Sequence, residues 1–459
     1  MRANGGKVRA AAKPGTEAAP RRLGGRLGRR LGGRHVPGRA ALLRAVLGGV
    51  ILSSVALWPV AAGSDEPARP FTLGLDLRFE ADSNPGLTSP SPGTRTGSTA
   101  RLNFGWVTDT GVDRFSVDAA ASLRAFGGRG RAAGDISGFR EPRVGVGYIR
   151  SGADGSFQLS ARWREDSIRS LRGLDEFLDP ETGLIELPED FDALVGTGTR
   201  RNRAANARLS IGENATLGFV LGAGVSATDY RNAAPSLIPA TRTRADATAR
   251  LRLNPVATAT AGLRYARFDP RGGASRTTTG LTLGYAQDLP TGQFGLDGAA
   301  DFRPEGTRLS ASVRWRMERP RGGLGLSLGL ARPAGGSRVR VISSLNWRQD
   351  LPGGSLSAQF QNSVDAGSDD TDRVLTALAV NWTHEVGPLS TLSLDARHAV
   401  SSRVGVGQRT ASTTLGATYT HALTQDWGMS VGYNHRIRRE TGTRARGDTV
   451  FLTLRRTWN

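Results

Sequence analysis

Apolar and polar residues alternate along the chain from Phe71 to its end. The run FTLGLDLRFEA places Phe71, Leu73, Leu75, Leu77 and Phe79 on one face, with polar or small residues between them. Successive strand residues point to opposite faces of a sheet, so this pattern predicts strands with one apolar and one polar face. No segment of helical period competes with them. The predicted strands span 71–81, 98–108, 113–126, 139–150, 155–164, 203–213, 216–230, 243–253, 256–268, 275–287, 293–303, 306–316, 322–332, 337–348, 354–365, 372–384, 388–400, 408–421, 426–438 and 446–458.

The lengths of the strands and links predict how the strands assemble. Strands of about 11 residues exceed the usual globular length of about 5–6 and match the about 9–11 residues of a tilted membrane crossing. Short links such as 109–112 and 288–292 alternate with longer ones such as 165–202 and 439–445, although 304–305 departs from this contrast. A soluble β-sandwich array or a fibre would leave strand edges exposed, which closure removes. We therefore predict an all-β fold, a closed antiparallel transmembrane β-barrel of about 20 strands (range about 16–22) with short periplasmic turns and longer extracellular loops.

Aromatic residues recur where strands meet the short links. In GYAQDLPTGQFGLDG (284–298), Tyr285 precedes a D-L-P turn, and NWRQDLPGGSLSAQF (346–360) repeats the arrangement. Amphipathic rings prefer the headgroup level of a membrane, so we interpret these residues as a periplasmic aromatic girdle. Its predicted members are Trp106, Tyr148, Tyr285, Trp315, Trp347, Trp382, Tyr419, Trp427 and Trp458.

The N-terminal region differs from the rest of the chain. An Arg-rich and Gly-rich segment leads into the uncharged apolar run 45–63, and small residues around Ala62 offer a cleavage site. This order is typical of a signal peptide, although the run approaches the length of a single membrane anchor. We predict a signal peptide over 1–62 with a long basic n-region, a short periplasmic segment over 63–70 and the barrel over 71–459. The absence of cysteine fits an oxidising compartment.

The net charge of +20 is unevenly distributed. Residues 1–63 hold 12 Lys and Arg against one acid, Glu17, which leaves 61 − 12 = 49 basic and 41 − 1 = 40 acidic residues, a net +9, in the remainder. These charges are spread along the polar strand faces, and no basic stripe or nucleic-acid-binding motif appears, so no nucleic-acid partner is expected.

The polar strand faces carry more arginine than acid. In a barrel they would face the lumen, where cationic side chains favour anions, while ion-pair networks that brace the wall are the alternative interpretation. The candidate lumen charges are Arg78, Arg101, Arg114, Arg124, Arg250, Arg252, Arg314, Arg316, Arg338, Arg340, Asp246 and Asp297.

The link 165–202 is long, acidic and without alternation. The spacing of its carboxylates matches no calcium-loop motif. We expect either a solvated extracellular loop or one folded into the lumen as a constriction. Its acids are Asp175, Glu176, Asp179, Glu181, Glu186, Glu189, Asp190 and Asp192.

Catalytic and cofactor motifs are missing from the sequence. The four histidines after the N-terminal region, His384, His398, His421 and His435, lie in no recognisable Ser-His-acid arrangement. GVGVG runs lack the following helix that a phosphate loop requires. We therefore expect no enzymatic activity, no cofactor and no metal.

The chain resembles the bacterial outer-membrane β-barrel (porin-like) superfamily of Gram-negative bacteria. The resemblance rests on the signal, the alternating strands, their aromatic ends and the C-terminal DTVFLTLRRTWN, although Asn459 follows the terminal aromatic Trp458. It implies assembly by the barrel-assembly machinery and contact with outer-membrane lipid and lipopolysaccharide. LRFEADSNPGL is similar to the start of putative barrel porins associated with exopolysaccharide systems. The predicted function is passive passage of hydrophilic solutes, including anionic ones. The alternative is a non-conducting surface or assembly component, such as a partner in exopolysaccharide export.

Overall fold

The computed structural model forms a closed barrel, which confirms the predicted fold class. The predicted signal peptide 1–62 and segment 63–70 lie outside the described residues, as do Asp175, Glu176, Asp179 and Glu181 of the acidic link. The described residues are 71–129, 137–174, 177, 185–194, 196–334, 336, 338–366, 372–404, 407 and 409–458.

Twenty antiparallel strands make up the wall, in agreement with the expected number. A single-turn 3₁₀ helix, Ser170–Arg172, follows the fifth strand. Among the described residues, no helix has the length and apolar character needed to cross a bilayer. The strands are β1 (Phe71–Asp82), β2 (Arg95–Asp109), β3 (Asp113–Gly128), β4 (Gly138–Ser151), β5 (Gly155–Ser167), β6 (Thr199–Ile211), β7 (Leu217–Arg231), β8 (Ala240–Asn254), β9 (Ala257–Pro270), β10 (Arg276–Leu289), β11 (Gly292–Arg303), β12 (Gly306–Arg319), β13 (Gly322–Arg332), β14 (Arg340–Leu351), β15 (Gly354–Ala366), β16 (Asp372–Gly387), β17 (Ser390–Arg403), β18 (Arg409–Ala422), β19 (Trp427–Glu440) and β20 (Thr443–Trp458).

Each strand pairs with the next in sequence, and the first strand also pairs with the last. Leu73 of β1 lies opposite Phe104 of β2 on one side and Trp458 of β20 on the other. This second pairing removes the two free edges that an open sheet of this size would present. The alternation of faces stays in phase around the ring, so most apolar residues of the strands lie on the outward face. Leu283 and Leu328 on that face are 57% and 58% exposed, as expected for side chains that contact lipid.

The two ends of the barrel differ in the length of their connections. At the turn end every connection has two to five residues, whereas those at the loop end reach 31 residues in 168–198. The prediction of a long link at 439–445 is wrong, because Glu440 pairs with Thr443 across a two-residue turn. Arg444 and Arg446 occupy outward positions of β20 where the pattern requires apolar residues, and this hid the start of the strand.

Candidate functional site: the mouth of the barrel

The connection 168–198 is here called the mouth loop, and its described residues fold into the barrel. Its apolar side chains form a cluster in which Ile168, Leu174 and Phe191 have no exposed surface. The wall contributes Leu375 and Ala377 of β16 and Ala399 of β17 to this cluster, and the connection after β7 contributes Leu237. The register places Leu375, Ala377 and Ala399 on the inward face, which is mostly polar elsewhere. The loop therefore stays inside because it buries apolar surface against an apolar patch of the wall.

Arg373 at the start of β16 binds the mouth loop through hydrogen bonds. Its guanidinium is 2% exposed and donates to the carbonyl oxygens of Leu187, Pro188 and Glu189 at 3.1–3.4 Å, and to Asp192 Oδ1 at 3.3 Å. Ser401 Oγ donates to the same Asp192 oxygen at 2.8 Å. Carbonyls of an irregular segment need partners when buried, and a guanidinium offers several donors in a fixed plane.

Arg438 of β19 binds the mouth loop at a second position. Its side chain is 1% exposed, donates to the carbonyl oxygens of Arg172 and Phe191 at 3.2 and 3.3 Å, and lies over the Phe191 ring. Glu440 accepts from Arg438 at 2.6 Å and from Arg172 at 3.1 Å. The phenyl ring of Phe191 therefore lies between a cation and the edge-on ring of Phe177, 5.8 Å away.

Carboxylates of the loop reach the opposite wall. Asp190 accepts from Arg200 of β6 at 2.8 Å and from the Tyr230 hydroxyl of β7. Glu189 pairs with Arg242 of β8 at 2.5 Å and with Arg244 at 3.2 Å. Strands β6 and β16 stand ten positions apart in a ring of twenty, so contacts on both cross the lumen at its mouth. Of the two expectations for the acidic link, the constriction is the arrangement found in its described part.

Glu189 makes the docking of the loop dependent on pH. Burial raises the pKa of its carboxyl above the ordinary value of 4.5, and Arg242 and Arg244 oppose that rise. A carboxyl whose pKa is raised on docking stabilises the docked state below its ordinary pKa, and this contribution disappears as pH rises through the docked-state value. We expect loop opening, measured as channel conductance or protease cleavage within 185–194, to increase as the pH rises above the ordinary pKa of 4.5. Glu189→Gln is the control, and loop opening in this variant should depend less on pH. An unchanged pH dependence would contradict the role of Glu189.

Two cavities border the mouth loop. One has a volume of about 660 Å³ and reaches from the loop to the β3–β9 wall, and the other, of about 880 Å³, lies between β1–β5 and β17–β20. The first is lined by six arginines and five carboxylates, and the second by nine arginines and seven carboxylates. The positive excess is therefore one in the first cavity and two in the second, far less than the arginine content alone suggested.

Eleven of the twelve candidate lumen charges occupy inward-facing strand positions. Arg338 does not, because β14 begins at Arg340 and Arg338 lies in the connection 333–339, so its predicted strand position is wrong. The inward-facing ones are Arg78, Arg101, Arg114, Arg124, Asp246, Arg250, Arg252, Asp297, Arg314, Arg316 and Arg340.

Several of these guanidinium groups have partners within the wall. Arg124 binds Glu141 through both terminal nitrogens, and Arg314 donates to Asp297 at 2.8 Å. Arg250 donates to the carbonyl oxygen of Glu213 at 2.6 Å, in the connection 212–216 at the turn end. The wall-bracing interpretation therefore accounts for these members of the set.

Inward-facing aspartates lie against glycines of the neighbouring strand. A Cβ added at Gly145 would lie 2.2 Å from Asp118 Oδ1, and one at Gly222 would lie 2.3 Å from Asp246 Oδ1. The same close approach occurs between Gly416 and Asp395. Because glycine has no side chain, these carboxylates lie flat along the wall, which leaves the centre of the lumen to longer side chains.

The nine predicted girdle residues lie on the outward face near the turn end of their strands. Trp106 packs edge-on against Phe115 at 5.4 Å, and Trp382 stacks on His384 at 5.5 Å. The set comprises Trp106, Tyr148, Tyr285, Trp315, Trp347, Trp382, Tyr419, Trp427 and Trp458.

Histidine and carboxylate side chains are the groups from which a metal site or a catalytic triad would be built. Within the described part of the chain, no group of three or more His, Asp or Glu side chains could hold a metal ion. His421 Nδ1 lies 2.8 Å from Ser390 Oγ, but no carboxylate of the described residues contacts this imidazole. The pair thus lacks the third group that orients the base in a catalytic triad.

Sequence reasoning missed Arg373 and the apolar inner patch. The signal was present in β16, where Val374, Leu375, Leu378 and Val380 make both faces of RVLTALAV apolar. A strand that is apolar on both faces is expected to be covered on both. One face contacts lipid, so the other required a cover from within the barrel.

Comparison with known proteins gives a likeness of fold. No family model matches the sequence, and no curated protein matches it. The ferric-catecholate import receptor Fiu of E. coli K12 superposes with a TM-score of 0.50 at 8% identity, over 86% of this chain and 82% of that receptor. The siderophore receptor PirA of Pseudomonas aeruginosa gives a TM-score of 0.42 at 9% identity, over 86% of this chain and 81% of the receptor. The chain has the closed antiparallel fold of bacterial outer-membrane β-barrels.

Proposed function

We propose that the chain is an outer-membrane channel for small hydrophilic solutes and that the mouth loop constricts its outer opening. In this proposal a cleaved N-terminal signal peptide directs the chain to the outer membrane. The observation that carries this proposal is a polar inner wall with large cavities beside the loop. Side chains fill an eight-stranded barrel, but one of twenty strands has room for water. The short connections at the turn end, with the predicted aromatic girdle beside them, support an orientation in which this end is periplasmic and the loop end lies outside.

The solute preference follows from the charge of the two cavities. Both have a small excess of arginine over carboxylate, which favours anions weakly. The likeness to an import receptor concerns the barrel fold and identifies no ligand. Outer-membrane lipid, lipopolysaccharide and the barrel-assembly machinery belong to this proposal as partners.

A planar-bilayer recording tests the proposal. The purified full barrel should give discrete conductance steps with a modest preference for chloride over potassium, measured from the reversal potential in a salt gradient. Strong cation selectivity would contradict the anion preference alone. Silence of both the wild type and a variant lacking 175–194 would contradict the channel itself.

The second candidate, a non-conducting surface or assembly component, is favoured by the firm attachment of the mouth loop. Buried Arg373 and Arg438 hold it on one wall, and Asp190 binds Arg200 on the other. A silent wild type whose 175–194 deletion conducts would support this alternative, because it would locate the block in the loop.

A further inference from the structure

Four arginines form a patch on the outward surface of β18–β20 at the loop end. Arg409, Arg439, Arg444 and Arg446, the arginine patch, are all exposed. The register places each of them on the same face as the lipid-side residues of these strands. The patch thus lies directly above the apolar outer surface of the barrel.

The arrangement of the patch is unfavourable without a bound anion. Arg439 and Arg444 are direct partners across β19 and β20, and Arg446 follows Arg444 on the same face. Arg409 is two residues from Ala411, which pairs with Arg439. Like charges directly opposite each other destabilise a sheet, so an anion that neutralises them would stabilise these strands.

No carboxylate of the described residues forms an ion pair with any member of the patch. The nearest acid on this face, Asp448, is bound by His435 and Tyr433, each at 2.7 Å. Glu440 points inward to Arg438 and Arg172. The adjoining connections 83–94, 404–408 and 441–442 contain neither Asp nor Glu.

Four arginines at the loop end of β6 and β9 have carboxylate partners. Arg201 pairs with Glu165 at 2.9 Å, and Arg267 pairs with Asp269 at 2.9 Å. Arg203 and Arg271 share Asp229 at 3.5 and 3.2 Å. The barrel therefore neutralises arginines at this level on one side and leaves the arginine patch without carboxylates on the other.

We propose that the arginine patch binds the head group of an outer-leaflet lipid that carries two or more phosphate groups. A guanidinium donates two parallel hydrogen bonds to a phosphate, and four of them on adjacent positions can hold more than one. The boundary between the apolar surface and the connections of the loop end is where such phosphates lie. The inference rests on the proposed outer-membrane placement and orientation, but not on solute passage.

The test titrates the detergent-solubilised full barrel with bisphosphorylated lipid A and reads bound lipid by native mass spectrometry. The patch variant Arg409→Gln, Arg439→Gln, Arg444→Gln and Arg446→Gln is compared with a control that removes four paired charges. The control carries Arg201→Gln, Arg203→Gln, Arg267→Gln and Arg271→Gln. Heat-modifiable migration first establishes that both variants are folded.

We expect the patch variant to bind lipid A at least about tenfold more weakly than the wild type, since basic side chains beside an anionic lipid surface add to the affinity. The control should stay within about threefold of the wild type. Monophosphorylated lipid A should bind more weakly than the bisphosphorylated form. Equal losses in both variants, or complete displacement of lipid by millimolar inorganic phosphate, would overturn the proposal. Neither result depends on conductance, so this proposal and the channel can fail separately.

Discussion

Arg373→Ala is expected to release the mouth loop and raise single-channel conductance toward the level of a variant that lacks 175–194. The substitution removes four hydrogen bonds to the loop and leaves the buried carboxylate of Asp192 with Arg403, 3.5 Å away, as its remaining guanidinium partner. Truncation of one member of a buried ion pair costs about 3–5 kcal/mol, which is enough to shift a docked loop largely to the open state. The measurement is planar-bilayer conductance, with limited proteolysis within 185–194 as a second readout.

The matched control for this prediction is Arg348→Ala. Arg348 pairs with Asp350 through an exposed contact near the turn end, and its side chain is 69% exposed. Its loss should leave both conductance and proteolysis at wild-type levels. If Arg373→Ala changes neither readout while the deletion opens the channel, the loop is held by its apolar cluster alone and our assignment of Arg373 is wrong.

Asp372→Ala is expected to cause the largest loss of barrel stability among single substitutions of the inner wall. Asp372 is 6% exposed and accepts from Arg303 at 3.0 Å, from Arg308 at 3.4 Å and from the backbone nitrogen of Ala334 at 2.7 Å. These partners join β11, β12 and the connection 333–339 to β16. Without the carboxylate, Arg303 remains buried, with its side chain 5% exposed. We expect a loss of about 3–5 kcal/mol in the free energy of unfolding.

Urea unfolding in detergent, followed by tryptophan fluorescence and heat-modifiable migration, measures this loss. Asp350→Ala is the comparison, because it breaks an exposed pair that contributes about 0–1 kcal/mol. Similar urea midpoints for the two variants would show that the contacts of Asp372 with Arg303, Arg308 and Ala334 do not stabilise the barrel.

The sequence predicted the wall of this barrel because the information for the wall is local. A sequence period of two residues predicts which side chains lie on the outward face, and short turn signals predict where the chain reverses direction. The number of strands, their direction and the place of the girdle followed from these two features. The same rule misplaced the start of β20, since Arg444 and Arg446 occupy outward positions, and the start of β14, since Arg338 precedes it.

The mouth of the barrel was not predictable in the same way. Arg373 contacts Leu187 and Pro188 across about 185 positions of sequence, and no periodicity records a contact between a wall and a segment without alternation. Alternation along single strands therefore determined that the chain closes into a barrel and which side chains lie on its outward face. Only the tertiary structure decided that the acidic loop enters the lumen, because burial of its leucines and phenylalanines requires the apolar patch on β16 and β17 and the two buried arginines beside it.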